Sequence, residues 1–306
     1  GALDRGAPPA GAGGDGDHGV NTMTLSPRDL QRIARSTGWR DQRVEVCDTA
    51  QGKVIVKGQR PTRHPARYRL LNRLARWLGL PFLKAAPLAG GAQAQQTEVA
   101  RLRALRRAGA PVPEVLHVGA DHFVMQWLGR AHLGDVLQAG HPRAAALWRE
   151  AGDALLRLHQ AGQYLSQGFA RNMIVTDDAG AAPRLAGLID FEDDPLQVMS
   201  LHEAQVRDWL AFLHSTLWTL PLPPTEVDAC LDAWLAAESP AVRAGFAQAC
   251  RRLAWLRVLP RQRRFGRDTV ALQAAAAAAH RHVQRWRQGR RFRAGLGGDP
   301  GNEGTS

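Results

Sequence analysis

Leu155-Leu156-Arg157-Leu158-His159-Gln160-Ala161-Gly162, Asn172-Met173-Ile174-Val175 and Leu188-Ile189-Asp190-Phe191-Glu192 follow one another in the middle of the chain. The first block has apolar residues at helical spacing and stops at a glycine, the usual punctuation after a helix. The other two are short apolar runs that read as strands, the first opened by an amide and the second closed by a carboxylate. From Pro142 to the C-terminus the pattern is otherwise helical, interrupted only by strands expected at Met173 to Thr176 and Leu185 to Ile189.

Upstream of this block the order reverses, and strands dominate. Ser26-Pro27-Arg28-Asp29 is a helix start with proline at the first helical position and an acid completing a capping box. Val44 to Asp48 and Lys53 to Lys57 alternate around the Gln51-Gly52 turn and predict a hairpin. A helix is expected from about Gln95 to Ala108, ended by Gly109, followed by strands at Val112 to Val118 and His122 to Trp127. Strands with one main helix, then helices with one hairpin, define an α+β class with two lobes. The boundaries that follow are an N-lobe over residues 23–129 and a helical C-lobe over 130–294. Residues 1–22 and 295–306 are Gly-, Ala- and Pro-rich and read as disordered tails, with Met23 an alternative start.

Phosphoryl transfer needs a cation on the α/β-phosphates, a partner to hold it, magnesium ligands and a group that orients the nucleophile. Lys57 ends the apolar strand Val54-Ile55-Val56, and Glu98 lies early in the next helix, where it can reach that lysine. Phe123-Val124-Met125-Gln126-Trp127-Leu128-Gly129 suits a strand that leads into an adenine-contacting hinge, which makes Met125 and Trp127 nucleotide-contact candidates. In this order the blocks resemble the protein-kinase-like superfamily over roughly Val44 to Leu213. The resemblance is nearest to the bacterial kinases of lipopolysaccharide cores, which act on Kdo and heptose, and to the RIO and tRNA-modification-associated small kinases. It implies that Lys57 and Glu98 position ATP phosphates and that Asn172 and Asp190 hold Mg2+. It further implies that Asp208, in Arg207-Asp208-Trp209-Leu210, props up the catalytic loop.

Two departures qualify that resemblance. The family places its general base five residues before the asparagine, and Gln167 stands there, within Leu165-Ser166-Gln167-Gly168-Phe169-Ala170-Arg171-Asn172. A glutamine takes no proton at neutral pH, although it can orient a hydroxyl or water. The catalytic candidates are therefore Gln167 and Asp190. No GxGxxG precedes Lys57. The acidic run Glu192-Asp193-Asp194 has two readings, a solvated turn before Pro195 or a source of a substitute carboxylate. His159 reads as a structural residue favouring the negative end of its helix.

Charge sets the partner classes. The chain has 40 Lys+Arg against 28 Asp+Glu, net +12, so it should seek anions. Residues 64–84 form a basic amphipathic stretch with Leu70, Leu71, Leu74, Trp77 and Leu78 at helical spacing. It fits either a membrane-surface helix or a stripe packed on the small lobe. From Arg251 to Arg293 thirteen arginines face one acid, Asp268, and this block reads as a helix pair with a charged outer face. No nucleic-acid fold signature accompanies it, which leaves RNA association the weakest reading. Three separated cysteines with no CxxC, no span of about 18 to 20 apolar residues and no signal-peptide pattern suggest a cytoplasmic protein, peripheral at most on the inner face of the membrane.

Three functions stay open on this reading. The first is an ATP-dependent phosphotransferase of lipopolysaccharide-kinase type, with nucleotide and an anionic lipid or lipopolysaccharide-core acceptor as partners. The second is a nucleotide-binding pseudokinase or scaffold lacking the base, and the third an RNA-associated partner.

Overall fold

The computed structural model describes residues 23–59, 73, 84–85, 90–176, 180–259, 261 and 267–296. Helix α1 spans Pro27–Arg35, and the Ser26 Oγ accepts from the Asp29 N–H, which is half of the expected capping box; the Asp29 carboxylate accepts from the Ser26 hydroxyl at 2.7 Å. A short helix α2, Gly38–Gln42, follows without having been expected. Strands β1 (Val44–Thr49) and β2 (Gly52–Gly58) form the predicted antiparallel hairpin. Helix α3 (Gly91–Arg107) begins earlier than read, because its Gly90-Gly91 entry carries no side-chain cap to mark it. Strands β3 (Val115–Val118) and β4 (His122–Gln126) complete a sheet in the order β1-β2-β4-β3. β3 starts three residues late, after Pro111 and Pro113, since proline supplies no N–H to a ladder.

Period-two alternation in β2 gives the sheet two different faces. Val54 and Val56, with Val124 of β4, pack against Ile33 and Trp39 in a small cluster under α1 and α2. Ile55 and Lys57 point the other way, toward α3 and the main core. That core takes Val99, Leu102 and Leu105 of α3 and Phe123 and Met125 of β4, and runs on without a break into the helical part.

A second sheet, β5-β6-β7, starts the C-terminal part: β5 is Ala131–His132, β6 Met173–Val175 and β7 Leu185–Leu188. The expected hairpin thus has a third strand, too short for a periodic signal. Around it lie α4 (Leu133–Gln138), α5 (Ala144–Gln160), α6 (Leu201–Thr216), α7 (Pro224–Ala237), α8 (Pro240–Leu253) and α9 (Arg267–Leu296). The architecture is α+β, an antiparallel sheet with one main helix followed by a mostly helical lobe. Trp148, Trp209 and Trp234 are its aromatic centre, with Trp148–Trp234 centroids 4.9 Å apart and Trp209–Trp234 5.5 Å. A Cβ on Gly152 would lie 2.2 Å from the Trp234 ring, so α5 approaches α7 only because that side chain is missing.

The tertiary structure gives some of the arginines partners that the sequence did not show. The arginine block spans the end of α8, a 3-10 turn and α9, with Arg251, Arg252 and Arg257 exposed as a charged outer face, while Arg281 and Arg285 of α9 are paired with Asp228 and Asp232 of α7. Acids four apart on one helix meet basic residues four apart on another, a match invisible within either segment alone. The basic stretch at 64–84 falls outside the described residues except at 73 and 84, as do both tails. Among the described residues no helix is long and apolar enough to cross a membrane.

Candidate functional site

Lys57 stands one residue from the end of β2, on the inner face of the sheet, and Glu98 in the second turn of α3. The Lys57 Nζ donates to Glu98 Oε1 at 2.6 Å, with both residues buried. The same ammonium lies 2.6 Å from Glu192 Oε1, and Arg43, between α2 and β1, also donates to that oxygen. Two cations and two carboxylates from four distant segments therefore meet at the join of sheet and helical lobe. Burial opposes the Lys57 charge, yet Glu98, Glu192 and Asp190 outweigh it and hold its pKa above the ordinary lysine value. Burial likewise opposes the Glu192 charge, but Lys57 and Arg43 win and keep its pKa below that of a free glutamate.

Asn172 and Asp190 are brought to one end of the β6–β7 pair. Met173 pairs with Leu188, and the Ile189 N–H donates to the Asn172 carbonyl at 2.9 Å, so the residues before β6 and after β7 lie side by side. Asp190 has φ +73, a left-handed conformation uncommon for a residue with a side chain. Such strain persists only where the surroundings impose it, here between a sheet ladder and the Glu192 contact. The Asn172 Nδ2 donates to the Gln167 carbonyl at 3.0 Å, which leaves its amide oxygen as the side chain's acceptor. An amide oxygen and a carboxylate fit Mg2+, which takes few protein ligands and completes its shell with phosphate and water. Among the described residues there is no group of three or more His, Cys, Asp or Glu that could hold a metal by itself.

The loop that carries Gln167 is braced from behind. The Leu165 N–H donates to Asp208 Oδ2 at 2.7 Å, and a Cβ on Gly168 would lie 2.4 Å from the Asp208 carbonyl oxygen. Asp208, fully buried on α6, supports the loop as the resemblance implied. The half-buried Gln167 accepts a 3.4 Å contact from Arg171 at Oε1. Ser166, at φ +81, donates from Oγ to Asp193 Oδ1 at 2.7 Å. The acidic run is therefore not a solvated turn: Glu192 faces Lys57, Asp193 is buried against Ser166, and Asp194 caps the Leu196 N–H. Burial raises the Asp193 pKa against the pull of Ser166 and of Arg207, 3.6 Å away.

His159 is structural for a reason other than its helix end. Its Nδ1 faces Glu238 Oε1 at 2.6 Å and its Nε2 faces Asp208 Oδ2 at 3.2 Å, all three side chains being sealed from solvent. An imidazole between two carboxylates carries a proton on each nitrogen. Burial disfavours that charge, but the bonds to Asp208 and Glu238 prevail and raise the pKa. Glu238 also accepts from Trp209 Nε1 at 2.7 Å. Of the expected hinge residues, Met125 is buried in the main core and Trp127 is half-buried beyond β4.

Sequence reasoning missed Arg43 and Glu238 and left Glu192 undecided. Glu192 had one usable signal, its place two residues after Asp190, whereas Glu238 sits in an ordinary helix-end turn before Ser239-Pro240. The fold and site define an α+β protein with a buried lysine–carboxylate cluster at the junction of a sheet and a helical lobe. Neither a family model nor a curated protein matches the chain. Among solved structures it is similar to the Neurospora crassa PAN3 pseudokinase mutant, at 15% identity and a TM-score of 0.28, over 83% of this chain and 60% of that one. The chain thus spans about 60% of that neighbour's length. A likeness of this size decides nothing, and the description of the fold rests on the strand order and side-chain pairs above.

Proposed function

We propose that the chain is a kinase-like nucleotide-binding protein of pseudokinase type, in which Glu192 occupies the lysine that would otherwise meet phosphate. The observation that supports it is the 2.6 Å Lys57–Glu98 pair, because a buried ammonium anchored by a helix carboxylate is the device that aims positive charge at α/β-phosphates. Asn172 and Asp190, gathered at one end of β6–β7, would hold the accompanying Mg2+, and that ion would neutralise phosphate charge. Gln167 stands where a proton acceptor is needed for transfer, and its amide cannot be one. Binding without efficient transfer follows. Phosphate must displace Glu192 from Lys57, so affinity is set by competition between two anions for one cation.

Thermal unfolding with and without Mg-ATP tests this, since a ligand that binds only the folded state raises the midpoint. The wild type should shift, Lys57→Met should not, and Glu192→Gln should shift more at the same nucleotide concentration. No shift in either wild type or Glu192→Gln would sink the reading.

A phosphotransferase is the second reading, supported by the joint placement of Asn172 and Asp190. It expects phosphate transfer from ATP that disappears in Asp190→Ala, with Gln167 orienting the acceptor. A lipopolysaccharide-core acceptor and action at the inner face of the cytoplasmic membrane rest on the family resemblance and the basic composition alone.

A further inference from the structure

A cavity of about 460 Å³ lies in the helical lobe, between α6, α8, α9 and the 3-10 turn Ala254–Val258. That volume is within the roughly 300–1,000 Å³ of small-molecule sites. Its walls are aliphatic: Leu210 and Leu213 come from α6, Leu256 from the turn, and Ala276 and Ala279 from α9. The alanine run of α9 thus leaves space where larger side chains would have filled a core, and close packing is the rule in cores.

Gln167, Arg207, Lys84 and His214 are polar members of the lining, and no Asp or Glu belongs to the described lining. Arg207 adjoins the Gln167 loop through Asp193, which accepts from Ser166. Arg207 is held in place by its bond to the Lys84 carbonyl at 3.2 Å and by Asp193. An apolar chamber with cationic groups on one side matches a molecule with a hydrocarbon body and an anionic head.

The turn beside the chamber supplies an independent observation. Leu256 faces the cavity, while its neighbours Trp255 and Val258 are 62% and 76% exposed. Arg251, Arg252 and Arg257 are exposed on the same short segment. Large apolar side chains standing in water among arginines are placed to enter an anionic lipid surface.

We propose that this cavity binds the acyl chain of an anionic single-chain amphiphile, reached from an anionic membrane through the Trp255–Val258 turn. The inference does not rest on nucleotide binding, and every readout below is made without nucleotide. A fatty acid free in solution offers the same chemistry as a lysolipid at a membrane, so the experiment has an arm for each.

The probe is 11-(dansylamino)undecanoate, displaced by dodecanoate below its micellar concentration. Saturable binding to the wild type is expected, with dodecyltrimethylammonium competing at least roughly tenfold less well than dodecanoate. Ala276→Phe fills the chamber and should lose binding by roughly tenfold or more. Should that variant not fold, Leu272→Trp narrows the cavity from a wall residue that is itself 38% exposed and should weaken binding in the same direction. In the second arm, co-sedimentation with phosphatidylglycerol vesicles is expected and with phosphatidylcholine vesicles is not, and Trp255→Ser with Val258→Ser should release the protein. Absent saturable binding, or binding undiminished in the folded cavity variants, overturns the site. Equal competition by the cationic amphiphile overturns the anionic head, and failure to sediment with phosphatidylglycerol overturns the membrane route.

Discussion

Two buried charge clusters, one at the sheet and one among the helices, are built from the same chemistry and do different work. Lys57 is shared by Glu98 and Glu192, with Arg43 as a second cation. His159 is shared by Asp208 and Glu238, and the uncharged donors Leu165 N–H and Trp209 Nε1 share the load. The helical cluster is fully sealed, and each member is tied to a rigid element. The sheet cluster is sealed on the Glu98 side and partly open on the other, where the Glu192 side chain is 10% exposed and Arg43 26%. One is a strut that holds the Gln167 loop, and the other is the pairing at which the proposed nucleotide phosphate would have to compete with Glu192.

The largest effect should come from breaking the strut. His159→Ala leaves two buried carboxylates without a counter-charge, an expected loss of about 3–5 kcal/mol measured by denaturant unfolding. Asp208 already has one oxygen, Oδ1, buried without a hydrogen-bond partner among the described residues, so little is available to compensate. A loss under about 1 kcal/mol would show that the strut is ornamental. Lys57→Met should cost less, about 2–3 kcal/mol, because Arg43 still holds Glu192 and only Glu98 is stranded. Gly168→Ala comes next. Its new methyl group meets the Asp208 carbonyl, and the expected cost is about 1–3 kcal/mol of overpacking, together with altered loop geometry. Glu192→Gln should change stability by less than about 1 kcal/mol, since Lys57 keeps Glu98 and the amide can still accept a hydrogen bond.

Titration separates the clusters by sign. The His159 pKa is raised from 6.5, so its contribution is complete below that pH and is lost as pH rises through the raised folded value. The stability gap between wild type and His159→Ala should therefore close on the alkaline side. The Glu192 pKa is lowered from 4.5, so its contribution is present above that value and is lost as pH falls through the folded one. The smaller gap between wild type and Glu192→Gln should close on the acid side. Stability curves measured at several pH values check both, and gaps closing in the same direction would refute the contrast.

How much was legible in advance varied with the range of the interaction that decides it. The β1–β2 hairpin, the Ser26 cap and the β6–β7 pair were readable because each is set by neighbours within a few residues. Helix α2 and strand β5 were not, being five and two residues long, too short for a period to register. Lys57 and Glu98 are noticed as a strand-end lysine and an early-helix acid, and it is the ordered resemblance to a family that singles out Asn172 and Asp190. The acidic run Glu192-Asp193-Asp194 leaves two readings open in the sequence, and only the fold decides between them by setting Glu192 against Lys57 and burying Asp193 against Ser166.

By itself the order of residues determined that Lys57 lies on the opposite face of its strand from Val54 and Val56, and that Asp190 follows the second strand of a small hairpin. Both follow from backbone periodicity and local pairing. Tertiary structure alone decided which carboxylates the buried cations meet. Arg43 and Glu192 are 149 residues apart and His159 and Glu238 are 79 apart. Burying a charge is so costly that partners must be found wherever the fold brings them, and packing of whole elements, with no trace in spacing, sets where that is.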